Sequence, residues 1–332
     1  MAAVSFTVVD VFSNVPFKGN PLAIVDARTH QLSTTQLQLI TRQFNLSETT
    51  FILPPTNQIA TYKLRSFLPN GKEVFGAGHN ILGAWWQLAH SGLLDLQESR
   101  TTQTSNGYLV QQELGSQVSP IQVVKDLQIR GEAKFEVVLR QPPPQLHGIH
   151  PDLKCLAHSI GLEETDLGFT AFGGGKALPP QVASTSTTYH LLVPLASVES
   201  LNRVNVQRDS LLRQLRAADE RAYGLFLFAK TGKNRYEARF FSPGMSAEDP
   251  ATGSAAGPLS AYLYEHGDLE LVDGRGWVEV TQGLQVGREC VIQVTLSVEN
   301  SEDGERRHVD LVGGAIVVAE GKIAVPDTST LF

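Results

Sequence analysis

RSFLPNGKEVFGAGH (residues 65–79) and RFFSPGMSAEDPATGS (residues 239–254) are two versions of one pattern. Each opens on an arginine, runs through an aromatic strand end and reaches proline four residues after the arginine. Each then passes an acidic residue and arrives at a small–Gly–polar triplet, Ala77-Gly78-His79 or Thr252-Gly253-Ser254. Arg65 to Gly78 is 13 positions and Arg239 to Gly253 is 14, so one gap aligns them. An apolar helix follows each triplet: GHNILGAWWQLAHSG, closed by Gly92, and SAAGPLSAYLYEHG, a helix despite its Pro258. The economical reading is a twofold internal repeat of strand, loop and buried helix.

The flanking sequence carries the same grammar. VSFTVVDVFS alternates and is β-branched, as a strand does, and NVPFKGNPLAIVDA is a turn followed by a second strand. Ser33 opens STTQLQLITRQFN with Gln36 three residues on, a capping-box spacing, and Leu37, Ile40 and Phe44 share one face. ETTFIL, ATYKLRSFL, GYLVQQEL and KFEVVLRQPPP read as strands, and the proline run 142–144 as a boundary signal. Further on, DLKCLAHSIGL, SVESLNRV and DSLLRQLRAADE read as helices. TYHLLVPL, YGLFLFAK, YEARFFS, GWVEVTQG, ECVIQVTLSVE and HVDLVGGAIVVAEGKIAV read as strands, with ENSEDGERR as a polar hairpin tip.

Composition narrows the function classes. The chain has 332 residues, 42% apolar and 18% charged, more than one core usually holds, so two domains are expected. A net charge of −7 with no block of like charge argues against nucleic acid and anionic membranes as partners. No leader-like segment and no run of 18 apolar residues stands out, so the expected address is the cytosol. The two cysteines, Cys155 and Cys290, lie outside any CxxC and are expected as buried thiols of a reducing compartment. His147 and His150 lack a completing ligand set, so no metal is expected, and FGGGK (172–176) lacks phosphate-loop spacing and reads as a flexible loop.

The two helix starts hold the candidate chemistry. A helix start leaves backbone N–H groups unpaired and favours a negative group by about 0.3–1 kcal/mol. Gly78 and Gly253 allow a ligand close to the backbone. Asp249, Thr252 and Ser254 can equally serve as plain caps and turn formers. His79, beside Gly78, reads as an acid/base, a donor to ligand or a core histidine. Glu48, in NLSETTF, stands at the start of a strand, where its carboxylate can face a cleft or simply be solvated.

GNPLAIV, NLSETTF, GKEVFGAGHNILGA, RFFSPGMSAEDPATGSAAG, QGLQVGRE and VDLVGGAIVVAEGKI occur in the order of the PhzF-like family, and the resemblance runs almost end to end. It implies an α/β (α+β) chain of two pseudo-symmetric domains, each a mostly antiparallel curled sheet or barrel around a central helix, as in diaminopimelate epimerase. The boundaries expected are 1–125, with about 322–332 returning to it, and 126–321. The resemblance further implies a homodimer and cofactor-independent proton transfer on a small carboxylate-bearing metabolite, in an interdomain cleft. Carried over by residue, Glu48 matches the general acid/base. His79, Asp249 and Ser254 match polar substrate contacts, Gly78 and Gly253 backbone donors, and Asn20 a further contact. Two departures stand out. The cysteine pair of the related epimerases is replaced by Ala77 and Thr252, which excludes a two-thiol racemase. The usual GHPT or GHAT reads GHNI, with Gly76 in place of a larger apolar residue. Closure of the cleft is expected to raise the pKa of Glu48. Elimination or cyclisation at the same site, and a non-catalytic binding scaffold, are the other readings of these residues.

Overall fold

The structure, a computed structural model, describes residues 2–75, 78–94, 101–104, 107–126, 134–171, 174, 176–186, 188–244, 248–301 and 304–327. Gly76, Ala77 and most of FGGGK lie outside them, and so does part of the hairpin tip. The contacts divide the chain into two units, Met1–Leu139 with Gly313–Phe332, and Arg140–Val312.

In the first unit β1 (Ala3–Val11), β2 (Asn20–Asp26), α1 (Thr34–Phe44), β3 (Thr49–Leu53), β4 (Tyr62–Phe67), β5 (Glu73–Val74), α2 (Gly78–His90), β6 (Thr101–Thr104), β7 (Gly107–Leu114), β8 (Gln117–Asp126) and β9 (Lys134–Gln141) follow in order. Along the sheet the pairing runs antiparallel β1–β2, parallel β2–β3, antiparallel β3–β4, parallel β4–β7, then antiparallel β7–β8 and β8–β9. Parallel pairing demands a crossover, and each crossover here contains a helix, α1 in the first and α2 in the second. Helix α1 begins where the capping box predicts. The Ser33 hydroxyl accepts from the Gln36 amide, the Gln36 side chain accepts from the Ser33 amide, and Asn45 ends the helix in a left-handed conformation. Its Leu37 and Ile40 pack on Val4, Val25, Phe51 and Phe67.

Helix α2 is buried from His79 to Ala89, the state of a helix apolar on every side. It packs on β1, β2, β3 and β8, so the sheet curls round it. Two of its polar side chains find partners inside: Trp85 Nε1 donates to Gln112 Oε1 at 2.8 Å, and Gln87 Nε2 to Thr7 Oγ1 at 3.1 Å. Gly83 is the close-approach position. A Cβ there would lie 2.8 Å from both Leu22 and Val11.

The second unit contains β10 (Pro144–Ile149), α3 (Leu153–Ser159), β11 (Gln181–Thr185), β12 (Thr188–Leu195), α4 (Val198–Arg203), α5 (Arg208–Ala218), β13 (Gly224–Gly232), β14 (Arg235–Phe241), α6 (Gly253–Glu265), β15 (Arg275–Gln282), β16 (Cys290–Ser301) and β17 (Gly304–Gly313). From β11 the pairing is again antiparallel, parallel, antiparallel, parallel, antiparallel, antiparallel, through β12, β13, β14, β15, β16 and β17. Helices α4 and α5 fill the first crossover and α6 the second. Each unit therefore has the same topology, and the repeat read from residues 65–79 and 239–254 is a repeat of the fold. Helices α3, α4 and α5 cover one face of the sheet through Leu156, Leu201, Leu211 and Leu215. Helix α6 packs on β10, β11, β12, β15 and β16.

The last strand, β18 (Ala315–Ala324), returns to the first unit and pairs antiparallel with the whole of β1, Ala3 opposite Ala324 and Val11 opposite Ala315. Among the described residues no helix is long and apolar enough to cross a membrane. Cys290 is buried as expected, whereas Cys155 is exposed. Short helix α3 turns Leu156 and Ala157 into the core, which leaves Cys155 on its outer side.

Candidate active site

Strand β3 pairs with β2 and β4, and Thr49 and Thr50 at its start are buried. Glu48 immediately precedes them on this rigid edge. Its side chain is 14% exposed, and Oε2 lies 3.2 Å from His79 Nε2 at the start of α2. The reading of Glu48 as a solvated turn residue is therefore set aside. In this structure the pKa of Glu48 is shifted downward. Burial pushes the carboxyl up, but the charge of His79, its contact and a Ser47 hydrogen bond outweigh burial and hold Glu48 below the ordinary glutamate value.

The rest of the first unit's set lies nearby in chain and strand order. Gly78 is the first residue of α2. Asn20 begins β2, buried and directly opposite Val11. Asn80 follows His79, is 1% exposed, and has neither amide atom hydrogen-bonded among the described residues.

In the second unit the EDPATGS stretch divides its labour. Glu248 does not serve the helix start. It forms a buried ion pair with Arg239 of β14, at 2.9 Å from Nη2 to Oε2. The matching acid of the repeat, Glu73, pairs with Arg65 in the same way at 2.7 Å. Arg65 also lies over the Phe67 ring and Arg239 over the Phe241 ring, each 5.0 Å from the centroid. The arginine, aromatic and acid of each pattern are thus one clamp holding the loop that leads into the buried helix.

Asp249 accepts from the Ala251 amide at 3.3 Å and from the Thr252 hydroxyl at 2.7 Å. Fully buried Gln282 locks this turn: Nε2 donates to Asp249 O and Thr252 Oγ1, and Oε1 accepts from the Thr252 amide. Thr252 makes no side-chain cap on α6. Ser254 is not a cap either, since its Oγ lies 2.9 Å from Nε2 of His190 on β12. The plain capping reading therefore fails for both hydroxyls. No described group accepts from the backbone amides of Gly253 and Ser254. Gly253 packs closely on Leu311, whose Cδ1 would lie 2.8 Å from a Cβ at this position.

His190 and Gln282 had not been singled out from the sequence. His190 sits in TYHLLVPL, which reads only as a buried strand, and its partner is 64 residues away. His147 and His150 have separate partners, Ser184 Oγ and the Asp152 amide, and among the described residues no three His, Cys, Asp or Glu gather as metal ligands.

A family profile described as phenazine biosynthesis-like protein, PhzC-PhzF, matches residues 9–321. The chain belongs to this family. It is similar to trans-2,3-dihydro-3-hydroxyanthranilate isomerase of Pseudomonas chlororaphis, 28% identical over 96% of this chain and 99% of that protein. Among solved structures it is similar to the PhzF-family phenazine biosynthesis protein of Bacillus anthracis, with 26% identity, a TM-score of 0.80, and coverage of 98% of this chain and all (100%) of that one. A protein named a predicted epimerase from Pseudomonas aeruginosa gives 27% identity and a TM-score of 0.71, over 97% of this chain and 100% of that one. Family and fold together make this member of the phenazine biosynthesis-like family an isomerase-type enzyme.

Proposed function

We propose that the protein moves a proton between two carbons of a small unsaturated carboxylate without a cofactor, with Glu48 as the general acid/base. The observation that carries this reading is a nearly buried carboxylate held on a strand edge, 3.2 Å from a histidine at the start of a buried helix. Pairing with His79 keeps Glu48 ionised at neutral pH, the state in which it can remove a proton from a carbon activated by conjugation. An anionic substrate then displaces water and adds like charge, and both effects raise the affinity of Glu48 for the proton it has taken. Glu48 returns that proton at the second carbon and the double bond shifts.

His79, with Asp249, fixes the substrate and shares the relay. Gly78, Gly253 and Ser254 supply donors that hold the substrate carboxylate. Asn20 is a further polar contact. Asn80 places an amide beside His79 where the usual motif of the family has proline or alanine. The substrate is therefore not assumed to be that of the Pseudomonas chlororaphis relative.

The test is turnover in deuterated water followed by NMR, with trans-2,3-dihydro-3-hydroxyanthranilate and a panel of unsaturated amino and hydroxy acids. On the acid that is turned over, Glu48→Gln lowers kcat by about 10²–10⁴-fold and leaves ligand binding intact. Wild-type turnover by Glu48→Gln removes Glu48 from the mechanism.

A further inference from the structure

His190 is 1% exposed, on the central strand β12, with its ring edge-on to Phe240 and Tyr223 at 5.1 and 4.9 Å between centroids. Among the described residues only one of its nitrogens has a hydrogen-bond partner. Nε2 meets Ser254 Oγ at 2.9 Å, whereas Nδ1 is buried with no hydrogen-bond partner among the described residues. Nδ1 faces the backbone of Gly224, where a Cβ would come within 2.5 Å of it. Burial pushes the imidazole down to about 3, so the ring carries one proton at neutral pH.

The position of that proton follows from the surroundings. On Nδ1 it would be a buried donor with nothing to accept it, at a cost of about 1–3 kcal/mol. On Nε2 it donates to Ser254, and Nδ1 keeps only a lone pair, which interiors tolerate better than an orphaned N–H. Ser254 Oγ is then an acceptor towards His190 and must turn its own hydrogen elsewhere. Ser254 has no second hydrogen-bond partner among the described residues. The hydroxyl hydrogen is therefore available to a ligand, alongside the uncommitted amides of Gly253 and Ser254.

We propose that His190 is a positioning residue: as a neutral Nε2–H donor it commits the Ser254 oxygen and so makes Ser254 a hydrogen-bond donor to the anionic group of the substrate. The opposite tautomer would have Ser254 donate to the ring and present lone pairs to a carboxylate, which repels it. The inference rests on the reading of Ser254 as a substrate contact. It adds that the sign of this contact is set by a residue that never touches the substrate.

Long-range ¹H–¹⁵N NMR of the imidazoles in the full-length protein tests it. His190, identified by its loss in His190→Gln, is expected as the neutral Nε2–H tautomer, unchanged from about pH 8 to about pH 5, where an ordinary histidine titrates. Ser254→Ala is expected to shift its Nε2 signal. An Nδ1–H tautomer, a titration in that range, or an Nε2 signal indifferent to Ser254→Ala overturns the proposal. These spectra need no substrate, so they stand or fall separately from the Glu48→Gln assay. On the acid that is turned over, His190→Leu raises KM about tenfold with kcat nearly unchanged, the size of one lost hydrogen bond. His190→Gln, which keeps a donor, restores KM, and His190→Leu with Ser254→Ala is no worse than Ser254→Ala. Additive losses in the double variant refute the coupling.

Discussion

Glu48 lives under two opposing pressures, burial that favours its neutral form and His79 that favours its charge, and the second wins. The sign for stability follows. A carboxyl whose pKa is lower in the folded than in the unfolded chain stabilises the fold above its unfolded value, near 4.3, and that contribution is lost as pH falls through the folded value. Glu48→Gln should therefore lose that contribution at neutral pH, flatten the acid arm of the stability curve below about pH 4.3 and converge with the wild type at low pH, as urea titrations at several pH values would show. The acid limb of kcat/KM should likewise lie below the ordinary glutamate value. Arg239 and Glu248 form a drier pair, 11% and 6% exposed at their side chains. Arg239→Met leaves Glu248 buried and unpaired and should cost about 3–5 kcal/mol in chemical denaturation. Arg65→Met, at the wetter Glu73 pair, should cost only about 1 kcal/mol. At this scale legibility depended on chain distance. Glu48, His79, Asp249 and Ser254 were found through short motifs. The identity of their partners, Gln282 and His190 above all, arises only when distant strands come together.

Helices were the most readable elements, since their signals are local. The Ser33–Gln36 spacing predicts the start of α1 and Asn45 its end, and both are found there with the hydrogen bonds the motif requires. Ser33→Ala removes one side of that box and should lower stability by about 1 kcal/mol in equilibrium denaturation. Gln36→Ala should cost a further amount even when Ser33 is gone, because its side chain still accepts from the residue-33 amide and donates to Pro326 O. The unread strands β5, β10 and β11, unlike the longer unread β8 (QVSPIQVVKD), share a different property. β5 is two residues long, β10 begins on the proline run and contains His147, and β11 is the five residues QVAST. None has a hydrophobic period long enough to stand out, and each is defined by the strand it pairs with. Loop chemistry deceived for a related reason. EDPATGS has the letters of a helix cap, yet Glu248 pairs with Arg239, Thr252 with Asp249 and Gln282, and Ser254 with His190.

For the molecule as a whole, the alignment of two short stretches was enough to foresee a repeated fold, because the clamp of arginine, aromatic and acid recurs at the same point of each topology. The order of the strands could not be read in this way, since parallel and antiparallel neighbours look alike in one dimension. Removing the chain after Val312 deletes β18, the partner of every residue of β1. The first unit should then lose its protection in hydrogen exchange.

That closing strand also sets a timetable for synthesis. A ribosome adds about 5–20 residues per second, so the roughly 300 residues that separate β1 from β18 take on the order of tens of seconds to appear. Throughout that interval the nascent half carrying Glu48 keeps one sheet edge open to mispairing, and the half made later is the first that can finish folding.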